Sequence, residues 1–322
     1  MHGWNLRYVL TVAEEKSISK AARKLYASQP AVSLHIKKLE DELGIKLFDR
    51  ERLPLQLTYA GERFVAIATQ IQNLERQLLC EMADINKCAK ARLVIGISPL
   101  RGRSVLPLVL PVFKQRFPGV EVVLVEEKTR ALEELTLDGK TDLWITNRPL
   151  KRELTITKFP SRANQLESTT FCRDEILAVV PDRYLPTGLD RKLYRNPIND
   201  GPEISLALLK NSPFILLKPG MNLRQIFDGM FSDAGFHKPN IILESESSDT
   251  LFDLALDGLA CSLIYRSFIP TAYRERSLPV SFFRLDDPRA KSTLAAVYLK
   301  DRYMSNAARE FIGVCKEVLL NV

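Results

Sequence analysis

Histidine is nearly absent from this chain: His2, His35 and His237 are the only three in 322 residues. None stands near Cys80, Cys88, Cys172, Cys261 or Cys315, and those five cysteines form no CxxC pair. The usual zinc spacings are therefore missing, and no Ser, His and Asp constellation is readable. No metal, no cofactor and no enzymatic activity are expected. Scattered cysteines in odd number point to buried reduced thiols, with a redox-active pair as the open alternative. No apolar run of 18 residues occurs, and the opening "MHGWNLRYVLTVAEEKS" holds too short an apolar stretch for the core of a signal peptide. The expectation is a cytosolic protein with no membrane contact.

Two motif fragments lead nowhere. "GKT" at Gly139 to Thr141 resembles the end of a phosphate loop, but Glu134 stands where that loop needs glycine, and a strand follows instead of a helix. "GISPL" lacks the second glycine of a nucleophile elbow.

With 46% hydrophobic and 26% charged residues, the chain is long enough for two or three domains with ample core. Its net charge of +7 favours an anionic partner. Residues 1 to 60 hold ten Lys/Arg against seven Asp/Glu, so the surplus is spread along the chain and is a weak signal.

The informative stretch is "SISKAARKLYASQPAVSLHIKKLEDELGIKLFDR", Ser17 to Arg50. At about 100° per residue, Val32, Ile36, Leu39 and Leu43 fall on one stripe that must be buried. The opposite face carries Pro30, Ser33, Leu34, Lys37 and Lys38, with Gln29 at the helix start. Upstream, Ser17 caps a short helix whose Ala21 and Ala22 allow close helix crossing. Gly44 ends the second helix, and "IKLFDRERLPLQLT" reads as two short strands around a charged tip. This is a winged helix-turn-helix pattern. On spacing alone, a small helical bundle with a charged surface remains open.

The run "AARKLYASQPAVSLHIKKLEDELGIKLFDR" followed by "LTYAGERF" resembles the DNA-binding segment of the LysR-type transcriptional regulators. The resemblance implies that Ser28, Gln29, Pro30, Ser33, Leu34 and Lys37 meet double-stranded DNA in the major groove, with Arg50 and Arg52 on the wing. Each role fits its chemistry, since a Gln amide can bond an adenine edge, Pro offers apolar contact to a thymine methyl, and Lys neutralises phosphate. Many family members carry Arg where this chain has Leu34, so apolar contact takes the place of a polar one there.

From Thr58 to about Lys90 the chain runs without proline, and Ile67, Ile71, Leu74 and Leu78 recur at threes and fours. Such a seam can pack on its own domains or pair with a second chain. The family resemblance implies pairing, which would place two recognition helices on an inverted repeat.

After "KAR" the pattern changes to strands alternating with helices, the mark of parallel α/β structure. "GISPLRGRSVLPLVLPVFKQRFPGVEVVLVEE" and "LDGKTDLWITNRP" resemble the effector domain of the same family, which has two lobes like a periplasmic binding protein. The expected domains are 1–58 for DNA, 59–90 for the linker helix, and 91–322 for the effector. Within the last, 91–162 and 270–322 form lobe I, and 163–269 form lobe II.

Ligands in open α/β sheets sit beyond the carboxyl ends of the strands. The expected effector residues there are Ser98, Pro99, Leu100 and Arg101, then Thr129, then Thr146 and Asn147 in a loop after the third strand, and Met221 and Asn222 before a second-lobe helix. Trp144 would line an apolar side or belong to the core. The preferred effector is a carboxylate or other small anion, clamped by the Arg101 guanidinium with Arg148 nearby. The long segment between Asp182 and Pro213 reads as loop, a lid or surface contact.

The resulting expectation is an effector-controlled, sequence-specific DNA-binding regulator, acting as a homotetramer built from two dimers and meeting RNA polymerase at the promoter. A solute-binding protein or module without a DNA role is the alternative.

Overall fold

The computed structural model describes residues 6–51, 54–85, 91–150, 160–189, 203–236, 238–269 and 279–320. The chain divides into two compact units, Met1–Ile85 and Asn86–Val322.

The first unit is a winged helix-turn-helix. Helix α1 spans Leu6–Glu15, α2 Ile18–Lys24 and α3 Gln29–Leu43. The wing strands are β1 Phe48–Asp49 and β2 Gln56–Leu57, paired antiparallel. Val9 and Val12 of α1, Ala21 and Ala22 of α2, and Val32, Ile36 and Leu39 of α3 bury together with Leu47 and Phe48. The methyl side chains of α2 let its neighbours approach closely. Ser17 caps α2 by accepting from the Lys20 amide, and Gly44 closes α3 at φ 67°.

Helix α4, Tyr59–Ile85, follows. Thr58 sets its start: its hydroxyl donates to the Lys46 carbonyl at 2.7 Å and accepts from the Gly61 amide at 3.0 Å. Gly61 must be glycine, because a Cβ there would stand 2.0 Å from the Leu47 carbonyl oxygen. Residues 86–90, where the linker was expected to end, lie outside the described residues.

The second unit has two lobes. In lobe I, strands β3 (Arg92–Ile97), β4 (Glu121–Glu126) and β5 (Leu143–Pro149) are parallel, with helices α5 (Pro99–Arg116) and α6 (Thr129–Leu137) as the crossovers. Helix α5 tolerates two internal prolines. Ser98 caps it, and Pro107 and Pro111 lie on the exposed face, where the carbonyls they release reach water.

Strand β6, Leu166–Pro181, joins the lobes. Its first part pairs with β12 (Lys291–Leu299) and its second with β10 (Ser262–Tyr265) and β11 (Val280–Leu285). Lobe II adds β7 (Glu203–Ile204), β8 (Pro213–Leu217), α7 (Asn222–Asp233), β9 (Asn240–Ser245) and α8 (Ser248–Leu256). The last helix, α9 (Asn306–Leu319), packs with α5 on the lobe I sheet, where Phe113 and Phe311 meet edge to face at 5.2 Å. Strands β3 and β8 read as unbroken apolar runs because sheets covered on both faces leave no polar side.

Two expectations are corrected. Val280, Phe282, Phe283 and Leu285 of β11 are buried in the lobe II cores, so the chain returns to lobe I at β12 and not at residue 270. The stretch 203–209 is not a surface lid: Ile204, Leu206 and Leu209 are buried in lobe II, and β7 pairs in parallel with β11. Residues 190–202 of that segment lie outside the described residues.

Candidate functional sites: a recognition helix and an interlobe cleft

On α3 the buried stripe turns the rest of the helix outward. Ser28 takes the N-cap position, its hydroxyl accepting from the Ala31 amide at 3.3 Å. Gln29, Pro30, Lys37 and Lys38 are exposed, Leu34 is 54% exposed, and Ser33 is half-buried. The face therefore combines one amide, a half-buried hydroxyl, a cation pair and two apolar groups, Pro30 and Leu34. The Ser19 hydroxyl donates to Gln29 Oε1 at 2.9 Å, which leaves the Gln29 amide NH₂ as a donor. Tyr8 stacks on His35 at 4.6 Å and fixes α3 against α1.

Two features of this unit escape sequence reasoning. Tyr26 occupies the turn with φ 53° and is 96% exposed. Its left-handed backbone could have been suspected only from the tightness of the turn. The Glu40 carboxylate is buried: Oε1 accepts from the Leu47 and Phe48 amides at 2.8 and 3.2 Å, and Oε2 lies 3.3 Å from Arg50 and 3.6 Å from Lys46. Glu40 adjoins the apolar stripe, and that position was the available signal. Arg50 is thus held against the base of the wing, partly exposed; Arg52 lies outside the described residues.

Along α4, Ile67, Leu74 and Leu78 are exposed and Ile71 is half-buried. Leu79, Met82 and Ile85 continue the exposed apolar surface.

Between the lobes of the second unit lies a cleft of about 390 Å³. Ser98, Pro99, Leu100, Arg101, Thr129, Thr146, Asn147 and Met221 all line it, together with Trp144, Leu223, Ile226, Tyr265 and Phe268. Asn222 opens α7, and its side chain is outside the described residues. Trp144 belongs to both alternatives at once: it lines the cleft and packs with Leu132 and Val297. Thr146 and Asn147 sit within β5, paired with β12, and not in a loop as expected, because the strand runs on to Pro149.

Arg101 also departs from expectation. It is 2% exposed, its Nη1 donates to Ser267 Oγ at 2.6 Å and stands 3.6 Å from Asp174, and the guanidinium lies 4.1 Å from the Phe268 ring centroid. Burial pushes this guanidinium below its ordinary pKa, and Asp174 pulls it back up. Asp174 in turn accepts from Ser267 Oγ at 2.6 Å and from Asn147 Nδ2 at 2.8 Å. The charge of Arg101 is met inside the protein, so the arginine reads as part of the wall that ties the lobes together and not as a free clamp.

Other cations stand at the mouth. Lys128, Arg130 and Arg148 line the cleft, beside the α6 amino end, whose N-cap Lys128 supplies no side-chain cap. Lys128 lies 3.6 Å from Glu246 across the mouth, and Arg103 pairs with Asp249 of α8. Burial pushes the Cys172 thiol up to about 11 and the Cys261 thiol up to about 12, and it raises Cys315 as well, so none of the three is held as a ready thiolate. Cys80 is half-buried on α4, and Cys88 lies outside the described residues. Among the described residues, no group of His, Cys, Asp and Glu could hold a metal ion, and no helix is long and apolar enough to cross a membrane.

A winged helix-turn-helix followed by a two-lobed α/β unit with an interlobe cleft defines a ligand-responsive DNA-binding class. Residues 4–62 match the bacterial regulatory helix-turn-helix protein, lysR family, and residues 89–320 match the LysR substrate binding domain. The chain belongs to the LysR family of DNA-binding transcriptional regulators. It is 31% identical over 320 residues to an uncharacterized HTH-type transcriptional regulator, YcgK of Bacillus subtilis (strain 168), covering 98% of this chain and 94% of that one. Among solved structures it resembles a full-length OxyR variant from Pseudomonas aeruginosa, with TM-score 0.66, 22% identity and coverage of 99% and 94%. It also resembles full-length CbnR complexed with its target DNA, with TM-score 0.57, 21% identity and coverage of 98% and 99%. At these identities the two structures speak for the fold. Nothing found supports a solute-binding module without a DNA role.

Proposed function

We propose that this regulator reads promoter DNA with the exposed face of α3. Gln29 and Ser33 address base edges, Pro30 and Leu34 give apolar contact to thymine methyls, and Ser28 and Lys37 engage phosphate. Arg50 and Arg52 follow the backbone or the adjacent minor groove from the wing. The observation that carries the reading is the division of α3 between a buried stripe and an exposed polar face. Exposed apolar side chains along α4, with Ile67, Ile71, Leu74 and Leu78 as the seam, support pairing of two chains on an inverted repeat. The assembly is a dimer of dimers in the cytoplasm, working on RNA polymerase at the promoter. The domain limits are 1–58, 59–90 and 91–322, with lobe II running from 163 through β11.

The effector is a small molecule with an apolar body and an anionic group. Leu100, Trp144, Met221 and Phe268 receive the body, while the anion faces Thr129, Thr146 and the cations Lys128, Arg130 and Arg148 at the α6 amino end. Ser98, Pro99 and Asn147 complete the wall and Arg101 supports it, while Asn222 enters only as the effector contact its sequence position implies. Binding favours one arrangement of the lobes and so alters the geometry of the paired DNA-binding units.

The test is fluorescence anisotropy on promoter DNA and on random DNA of equal length. Gln29→Ala is expected to lose about 1–3 kcal/mol of specific binding and almost none of the non-specific binding. An unchanged ratio of the two affinities removes Gln29 from base readout.

A further inference from the structure

We propose that Tyr26, in the turn between α2 and α3, is a further DNA-contacting residue, whose phenol hydroxyl donates to a backbone phosphate beside the groove that α3 enters. The proposal rests on the reading of α3 as the recognition helix and adds a residue outside the contacts assigned to it.

The backbone of the turn leaves little choice at this position. Helix α2 closes with the Tyr26 amide donating to the Arg23 carbonyl at 3.2 Å and the Ala27 amide donating to the Ala22 carbonyl at 3.0 Å. Such a closure needs a left-handed residue at position 26, where φ is 53°. Glycine is the ordinary occupant, and an aromatic residue is strained there. Ala27, the next residue, packs against the core of the unit and holds the closure in place. The tyrosine ring does nothing comparable. It is 96% exposed, and among the described residues its hydroxyl has no hydrogen-bond partner.

A side chain that strains its turn and touches no core has its use outside the fold. Its place says where. Tyr26 precedes Ser28, the N-cap of α3, by two residues, at most about 7.6 Å along the chain. It therefore flanks the end of α3 that carries Gln29 and Pro30. Arg23, joined to it through the closure, is exposed as well, so a cation and a neutral donor share this rim. Phosphates line the edge of the groove, and tyrosine hydroxyls are among the side chains that bind them.

The experiment is fluorescence anisotropy of the full-length protein on a random-sequence duplex and on promoter DNA, over a series of salt concentrations. Tyr26→Phe removes only the hydroxyl. It should weaken both DNAs by the same factor, about fivefold to tenfold, and leave the melting temperature unchanged. The salt slope should also stay as it is, because a neutral donor releases no counterion. Tyr26→Gly, which accepts the left-handed turn, should weaken binding at least as much. Parental affinity in either variant would overturn the proposal. So would a loss confined to promoter DNA, which marks a base contact, or a lowered melting temperature in Tyr26→Phe, which marks a role in the fold. Gln29→Ala, measured alongside, separates the two readings. Specificity lost there with Tyr26→Phe unaffected overturns the phosphate contact alone. Specificity retained there with both DNAs weakened by Tyr26→Phe removes Gln29 from base readout and leaves the phosphate contact standing.

Discussion

Lys37 on α3 extends an exposed ammonium from a helix whose apolar stripe faces inward, whereas Arg101 at the start of α5 is buried and stacked on Phe268. Both are helix cations beside a proposed ligand surface, and sequence alone assigns them similar roles. Exposure separates them. A cation serves a diffusible partner when it keeps its own hydration until that partner arrives; one already desolvated against an internal carboxylate is a structural tie. The recognition unit draws little of its stability from its contact face, and the cleft builds part of its wall from a charge pair.

The contrast predicts different failures. The largest is expected from Arg101→Leu, which strands the buried Asp174 carboxylate and should destabilise the α/β unit by about 3–5 kcal/mol. Chemical unfolding followed through Trp144 fluorescence in a Trp4→Phe background measures it, and a loss below about 1 kcal/mol would return Arg101 to the set of free ligands. In the recognition unit the comparable damage comes from backbone approach and not from charge. Gly61→Ala, forced against the Leu47 carbonyl, should cost about 1–3 kcal/mol in a thermal melt of the DNA-binding unit. Lys37→Ala should leave stability within about 0.5 kcal/mol and lower the salt slope of DNA binding by about 1. A melting shift without a change in slope would make Lys37 structural.

Cys172 gives the smallest effect. With its thiol pushed up to about 11 by burial and by Asp174, it is protonated at neutral pH and should alkylate slowly, faster only as pH climbs toward that value. Rapid labelling of Cys172 at neutral pH would restore a redox role.

What was legible in the sequence follows the range of the interaction. The α3 stripe, the Ser17 cap and the Gly44 stop act within one or two helical turns, so spacing revealed them. The cleft-lining residues near strand ends were legible for the same reason, since parallel α/β order places those ends together. The state of Arg101 was not. Its partner Ser267 is 166 positions away, and nothing local distinguishes a solvated Arg101 from a buried one. Likewise β11 has the same apolar composition in either lobe, and only its pairing with the second half of β6 assigns it. Leu206 and Leu209 looked like loop because Gly, Pro and Asn surround them, yet a short parallel pairing carries them into the core.

The most direct test of the distinction is a double-mutant cycle on Arg101 and Asp174. Arg101→Leu, Asp174→Asn and the double variant would be unfolded in denaturant under the same Trp144 signal. An internal tie predicts strong coupling, about 1–3 kcal/mol, with the double variant more stable than the sum of single losses allows. Additive losses would contradict it and leave Arg101 as a cation held for the effector.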